Sequence, residues 1–443
     1  MAEMTQWAKI TDQAVRLLSA YLQTDTTNPP GNERIAADFL QEELQQRGFK
    51  TKRFESAKGR SNLIARLSGN GKKKPILLYH HMDVVEADAS KWTCDPFGGE
   101  ISNGYIWGRG AIDMKGMGIM HLMAMDLLQK EMPQRSRDII FLAAADEEKG
   151  GDYGIRWLVE NHWPEIEAEY VWDEGGFGLK DFFDERPVFA VAVAEKNDIW
   201  LKLVAHGTAG HSGIPHGDNA AEILLNALQK VMQINAQFEL TPITRQLFGN
   251  IAKLKSFPQD FLLKNLNNPL IFKLLRPTLA ENETISAILR DTISITVLNA
   301  GAKENVIPEK AEATLDIRLL PDHDPQVFLA RLKALIDDDH IEFVHHGKFK
   351  QSNISDTESE FFTTLCTVLQ EEVPDSISTP MLTPGATDSS AFRQKGVNAY
   401  GLFPAIITPE ELDGFHNHNE RISIANMALG TRVTYEVLKR MCE

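Results

Sequence analysis

Apolar positions follow two alternating rhythms over the first 195 residues. "AADFLQEELQQRG" has helical spacing with a Gly stop, and "NLIARL" and "KPILLYHHMD" have the short apolar runs of strands. "KGMGIMHLMAMDLLQKEM" is a helix with an apolar stripe, "RDIIFLAAADEE" a buried strand and "YGIRWLVENHW" another helix. Strands that alternate with helices predict an α/β layer structure with a mostly parallel sheet. In such sheets ligands gather at the carboxyl ends of the strands. Polar clusters fall at those places, after "PILLYH", "IIFLAAAD" and "YVW".

A second pattern begins near Asn197. "DIWLKLVAHG", "TISITVLNAG", "AEATLDIRLLP" and "IEFVHH" read as strands, and "NAAEILLNALQKVMQI" and "PQVFLARLKALI" as helices. That order is a single β-α-β-β-α-β unit, an α+β layer inserted into the first. It carries an extra piece that reads as helical, from about residue 237 to 291. "DTESEFFTTLCTVLQEEV" then starts a helix that returns the chain to the α/β layer. The expected division is residues 1–197 and 353–443 for the first unit and 198–352 for the insert. No internal repeat or flexible linker interrupts this pattern.

Composition narrows the function classes. The 443 residues exceed one simple core, and 43 % hydrophobic with 24 % charged residues is ordinary for a globular protein. A formal net charge of −16 and the lack of a basic stripe argue against a nucleic-acid partner. Cys94, Cys366 and Cys442 lie far apart and form no CxxC pair, so a reducing, cytoplasmic setting is the expectation. The N-terminal "MAEMTQWAKITDQAV" reads as an amphipathic helix without the apolar core of a signal peptide. Apolar runs fall short of a membrane span, and no membrane partner is expected.

Five segments place acids or histidines where strands end. They hold His81 and Asp83 in "HHMDVV", Asp113 in "GRGAIDMKG", Glu147 and Glu148 in "ADEEKGG", Asp173 and Glu174 in "VWDEGG", and His416 in "GFHNHNER". Taken singly, each has an ordinary explanation: an Asp after glycines caps a turn, and a Glu pair on a loop is solvated. Together they supply carboxylates and imidazoles, a ligand set that suits zinc, cobalt or manganese. The absence of thiolates favours a catalytic site over a structural one. No GxSxG elbow, HExxH helix or GxxxxGK[ST] loop competes for the chemistry.

With these motifs the chain resembles the M20 family of dinuclear-zinc metallopeptidases and deacylases. "HHMDVV", "PFGGEISNGYIWGRGAIDMKG" and "ADEEKGG" carry the resemblance, which runs through nearly the whole chain in order. It implies a zinc-hydrolase sheet with an inserted lid or dimerisation domain, and two divalent ions, zinc above cobalt or manganese. His81 matches the first metal ligand and Asp83 the aspartate that orients it. Asp113 matches the carboxylate bridging both ions, Glu147 the general base, and Glu148 and Glu174 ligands of one ion each. His416 matches the last ligand, with His80 and His418 the neighbours that compete in register.

In "AHGTAGHSGIPHGDNAAE" the ordinary reading is a polar loop before a helix capped near Asp218 and Asn219. The resemblance assigns His211 to the oxyanion, from the same chain or from the partner of a homodimer. Asn305 and Arg318 match substrate contacts, Arg318 through its fork for a free carboxylate. Gly385 and Thr387 in "TPGATDSSAF" match a substrate loop. The implied reaction is hydrolysis of an amide or peptide bond beside a free carboxylate, in a dipeptide or an N-acyl amino acid. A binding protein that kept the fold without the chemistry is the alternative. Metal analysis with amino-acid release from a dipeptide mixture separates the two.

Overall fold

The computed structural model describes residues 2–345 and 353–443. The predicted end of the insert at residue 352, and His346 at the end of its last strand, lie outside the described residues. Among the described residues the larger sheet has ten strands. At its centre Ile139–Ala144, Ile76–His81, Tyr170–Asp173 and Asn398–Gly401 run parallel. Ile76–His81 and Ile139–Ala144 are buried along their whole length, which is why they read as unbroken apolar runs rather than alternating ones. An antiparallel hairpin, Lys50–Ala57 with Arg60–Leu67, extends one side. On the other side lie Val188–Glu195 and its parallel neighbour Ile377–Thr383.

Alternation along these strands feeds two apolar layers. Ile76, Leu78, Ile139 and Phe141 face the helices Ala2–Leu22, Lys115–Glu131 and Ile424–Cys442. Leu77, Tyr79, Ile140 and Leu142 face Ile155 and Leu158 of the helix Ile155–Asn161. The helix Lys115–Glu131 is buried from Lys115 through Leu128, so its predicted apolar stripe is in fact most of its surface.

The smaller sheet is antiparallel, in the order Thr292–Ala300, Lys310–Leu319, Asn197–His206, Ile341–His345. Lys310–Leu319 buries every second residue, the signature of a strand covered on one face. Leu201, Leu203, Leu315 and Ile317 pack there against Leu224 and Leu228 of the helix Ala220–Met232 and Leu332 and Ile336 of the helix Pro325–Ile336. Asn219 caps the first of these helices through the Ala221 amide at 3.0 Å.

The helical piece, Pro242–Ile251, Gln259–Lys264, Pro269–Glu281 and Glu283–Ile288, is inserted in the smaller unit's sequence but does not share its core. Ile243, Leu247, Phe248 and Ile251 join the core of the larger sheet, and Asn250 Nδ2 donates to Thr379 Oγ1 at 3.2 Å. The sequence reading grouped residues 237–291 with the insert; packing groups their apolar face with the larger layer. Four short helices cannot bury an apolar side by themselves, and the strand Ile377–Thr383 offers them a surface.

Candidate metal centre

Three strand ends and the loop of His416, which follows the helical turn Pro409–Leu412 rather than a strand, converge on Asp113. His81 ends its strand fully buried, and its Nε2 lies 2.9 Å from Asp113 Oδ1 and 3.4 Å from Glu174 Oε1. His416 Nε2 lies 2.7 Å from Asp113 Oδ2 and 3.5 Å from Glu148 Oε2. The two oxygens of Asp113 therefore serve two separate groups, His81–Asp113–Glu174 and Asp113–Glu148–His416. In each group the three facing atoms all lie within 4.8 Å of one another. Glu174 rather than Asp173 enters the cluster: Asp173 turns away, accepting from Ser389 Oγ at 2.7 Å and from the Glu174 amide at 2.7 Å.

The competing histidines sit elsewhere. His80 is buried in the core, with Nε2 3.3 Å from the Tyr21 hydroxyl and Nδ1 without a partner. Burial holds it well below the usual imidazole range. His418 takes no part in either group, and its Nδ1 has no partner.

Asp83 departs from its expected role. The Nδ1 atom of His81 meets the backbone carbonyl of Asp83 at 2.9 Å, whereas the carboxylate Oδ1 is 3.6 Å away, too far for a hydrogen bond. The carboxylate instead accepts from the amides of Glu147 at 3.1 Å and Glu148 at 3.2 Å, and from Asn28 Nδ2 at 2.8 Å. Two residues after His81, the chain thus orients the ring with a carbonyl and uses the carboxylate to hold the Glu147–Glu148 turn.

That turn is further pinned at Asp146, whose φ of 71° is left-handed. Arg60 Nη2 donates to Asp146 Oδ1 at 2.6 Å and Asn28 Nδ2 to the same oxygen at 3.0 Å. Asn28 therefore bridges the Asp83 and Asp146 carboxylates. His416 likewise has a positive φ, 54°. Its loop is tied to that of Asp113 by Glu420, which is fully buried. The Glu420 carboxylate accepts from the amides of Gly110, Ile112 and Asp113 at 3.0, 2.7 and 3.0 Å and from Arg109 Nη1 at 2.7 Å. Glu420 stands in the "HNHNE" stretch and Arg109 in "GRG", but neither was singled out from the sequence.

The electrostatics call for cations. Burial raises Glu147 well above the carboxylate range, and Glu174, Asp388 and Glu148 add to it against the pull of His81. Burial and then Asp113 raise Glu148 in the same way, and bring Glu174 to about 7. At Asp113 the cost of burial is outweighed by hydrogen bonds from His416 and His81, which hold it below the usual range. Among the described residues no Lys or Arg forms an ion pair with Asp113, Glu147, Glu148 or Glu174. A buried carboxylate cluster compensated by two imidazoles, with oxygen and nitrogen donors split over one bridging Asp, fits two divalent cations.

The remaining predicted residues occupy other surroundings. Gly385 is exposed, and the Thr387 amide donates to Glu195 Oε2 at 2.5 Å. Thr383 Oγ1 donates to the Gly175 carbonyl at 3.2 Å, so this loop docks beside Glu174. Tyr79 donates its hydroxyl to Asp388 beneath the loop. His211 and Asn305 lie together on the smaller unit, where the Ser212 amide donates to the Asn305 carbonyl at 3.2 Å. His211 is exposed, and its Nδ1 accepts from the Gly213 amide at 3.0 Å. Among the described residues no hydrogen bond or ion pair joins either to the cluster. Arg318 is not the free fork the sequence suggested. Its Nε and Nη2 bind Asp316 of its own strand at 2.7 and 3.2 Å, and Nη1 alone lacks a partner.

Residues 77–440 match the Peptidase family M20/M25/M40. The chain belongs to that family. Members with this fold share its mixed α/β layer with a large, mostly parallel central sheet: a M20 family metallo-carboxypeptidase, Sso-CP2 from Sulfolobus solfataricus, superimposes with a TM-score of 0.76 at 22 % identity, over 96 % of this chain and 98 % of that one. Among curated relatives, a probable carboxypeptidase S-like 2 of Dictyostelium discoideum is 32 % identical over 83 % of this chain and 71 % of its own length. The N-fatty-acyl-amino acid synthase/hydrolase PM20D1 of Homo sapiens is 30 % identical over 83 % and 74 %. This M20 chain is a metal-dependent hydrolase of amide or peptide bonds. Among the described residues no helix is long and apolar enough to cross a membrane.

Proposed function

We propose that the protein releases an amino acid bearing a free carboxylate from an N-acyl amino acid or a short peptide. The observation that carries this reading is the division of Asp113 between two imidazole-carboxylate groups. His81 and Glu174 would hold one divalent ion, Glu148 and His416 the other, and Asp113 would bridge them, with zinc the first choice for this donor set. When bound, the pair supplies Lewis acidity to the scissile carbonyl and acidifies water.

The chain's own residues do the rest. Glu147 takes a proton from the attacking water and returns it to the leaving amine as the C–N bond breaks. Its neighbour Glu148 can act differently because the Asp83 carboxylate grips both amides and fixes how the two side chains diverge. Gly385 and Thr387, docked beside Glu174, line the acyl or amine side of the substrate. The inserted unit, residues 198–352 without the helical piece that packs on the larger layer, acts as a lid, with His211 donating to the carbonyl oxygen as it gains charge and Asn305 beside it contacting substrate. Arg318, whose Nε and Nη2 are taken by Asp316, would reach a substrate carboxylate only through Nη1.

A homodimer through the lid is supported by the edge strand Thr292–Ala300, which pairs on one side only and exposes Ile295, Val297 and Leu298. The names of the relatives support acyl-amino acids and C-terminal peptide bonds as the substrates to try first.

The deciding experiment is titration of chelated protein with zinc, cobalt and manganese, followed by assay of amino-acid release from N-acetyl and long-chain N-acyl amino acids and from dipeptides. Two equivalents of metal restoring release from at least one class is the expected result. Metal uptake without release from any of them would reject the reading.

A further inference from the structure

The helical segment between Pro242 and Ile288 has an outer face that hydrolysis does not use. Its underside is accounted for: Leu247, Phe248, Leu266 and Leu279 are buried in the core of the larger sheet, with Phe272 and Leu275 packed against them. The outside is different. Phe257 is 80 % exposed, Phe261 52 %, Leu270 78 % and Leu274 68 %. These follow helical spacing. Phe257, Phe261 and Lys264 run along the approach to and the outer side of Gln259–Lys264. Leu270, Lys273 and Leu274 share the outer side of Pro269–Glu281, while Phe272, Leu275 and Leu279 of that helix point inward. A tight turn, with the Asn268 amide donating to the Asn265 carbonyl at 2.9 Å, joins the two helices.

The charge of this face runs against that of the molecule. In a chain of net charge −16, residues 253–276 hold five basic side chains and one acid, Asp260. Lys255 is engaged by Asp184 at 3.1 Å and Lys264 by Asp260 at 3.2 Å. Lys253 and Lys273 form no ion pair among the described residues, although Lys253 Nζ donates to Asn250 Oδ1 at 2.7 Å, and both are exposed beside the apolar groups. Four large apolar side chains projecting from a firmly anchored pair of helices, flanked by two lysines without a carboxylate partner among the described residues, match the composition of a helix that lies in a lipid interface.

We propose that this face docks reversibly on an anionic lipid surface. Phe257, Phe261, Leu270 and Leu274 enter the boundary between headgroups and acyl chains, and Lys253 and Lys273 meet lipid phosphates. This revises the expectation from composition that the protein has no membrane partner. An overall acidic chain can do so because attraction decays within a Debye length, so Lys253 and Lys273, which have no carboxylate partner among the described residues, act at the surface more strongly than carboxylates elsewhere on the molecule.

Cosedimentation of the full, metal-loaded chain tests it, using vesicles of phosphatidylcholine alone and of phosphatidylcholine with phosphatidylglycerol. Binding to the mixed vesicles, weakened by added salt, is expected. Leu270→Ser with Leu274→Ser should lower the partition at least about tenfold, the loss of two inserted leucines. Lys253→Glu with Lys273→Glu should lower it by about fivefold or more per lysine on the mixed vesicles. Both variants should keep wild-type release of amino acid from a soluble N-acetyl substrate and near-wild-type thermal unfolding, since every changed side chain is exposed and the contact given up is the Lys253 Nζ hydrogen bond to Asn250 Oδ1. The proposal is overturned if the wild type stays in the supernatant, if the leucine variant binds as the wild type does, or if the two vesicle types bind equally. A change from dimer to monomer in the leucine variant, without vesicle binding by the wild type, would assign the face to a second copy and overturn it as well.

Discussion

Glu420 Oε1 accepts the backbone amide of Asp113 at 3.0 Å, so the residue that serves both halves of the metal centre is held from behind by a buried carboxylate. The same group takes the amides of Gly110 and Ile112 and the guanidinium of Arg109. All four of these partners are donors. A glutamine could offer them one oxygen only, and its NH₂ would face backbone N–H groups. Glu420→Gln should therefore lower metal affinity by about 10–100-fold, the usual cost of disturbing a group that orients a ligand. Competition against a coloured chelator reads the affinity directly. Unchanged affinity would mean the Asp113 loop holds its shape without Glu420.

Glu147 and Glu148 are adjacent but should fail differently. In Glu147→Gln the metals should stay, because none of the close contacts among His81, Asp113, Glu148, Glu174 and His416 involves Glu147. Its kcat should fall by about 10²–10⁴-fold through loss of proton transfer. Glu148→Gln should instead lose metal, since Glu148 Oε2 faces His416 Nε2 at 3.5 Å. Elemental analysis and single-turnover assays on the two variants decide it; near-normal turnover in metal-replete Glu147→Gln removes the residue from the mechanism.

The histidine pairs give a second contrast. His81→Ala and His416→Ala should each reduce bound metal. His80→Ala should keep metal and lower stability by about 2–4 kcal/mol, because His80 fills a closed site between Tyr21 and Phe141. His418→Ala should change neither. Metal content after gel filtration and denaturant unfolding of the same samples provide both readouts. Full metal in His416→Ala with loss in His418→Ala would show the register to be wrong.

What could be read from the sequence was chemistry fixed to strand ends. The buried runs of Ile76–His81 and Ile139–Ala144 announce a parallel sheet, and the polar residues that follow them have nowhere to go except its carboxyl edge. His81, Glu148 and Glu174 were legible on that ground; Asp113, just before the helix Lys115–Glu131, and His416, in the loop after the helical turn Pro409–Leu412, directly follow no strand of that sheet and were read from the family resemblance. Contacts that run through backbone atoms were not. Asp83 shows the limit: whether its carbonyl or its carboxylate reaches His81 depends on about a residue's turn of chain, which no pattern records. Glu420 acts on amides, and amides carry no sequence signal. Arg318 sits in an alternating strand where a fork facing substrate and a fork facing Asp316 look alike. The helical piece between 237 and 291 has clear periodicity, but insertion in a chain does not say which core will take its apolar side.

The last prediction concerns the lid. If His211 donates to the developing oxyanion, its contact exists only in the transition state, so binding of the ground state should barely register its loss. His211→Ala should keep its metals and its unfolding temperature, leave KM nearly unchanged, and lose about 10²–10³-fold in kcat. The exposed side chain, joined only to the Gly213 amide, gives no structural reason for the fold to suffer. Whether the donor belongs to the same chain or to a partner follows from mixing. Inactive His211→Ala combined with inactive Glu147→Gln should regain part of the activity if subunits share their sites, because a heterodimer then contains one site with both residues intact. A charge placed on the exposed edge strand, as in Val297→Lys, should abolish that rescue along with the dimer, since it sets an ammonium against the apolar edge. Rescue that survives in protein shown by sedimentation to be monomeric contradicts the shared site. No rescue between subunits proven to exchange leaves His211 acting on its own chain's centre, and an unchanged kcat in His211→Ala removes it from the oxyanion altogether.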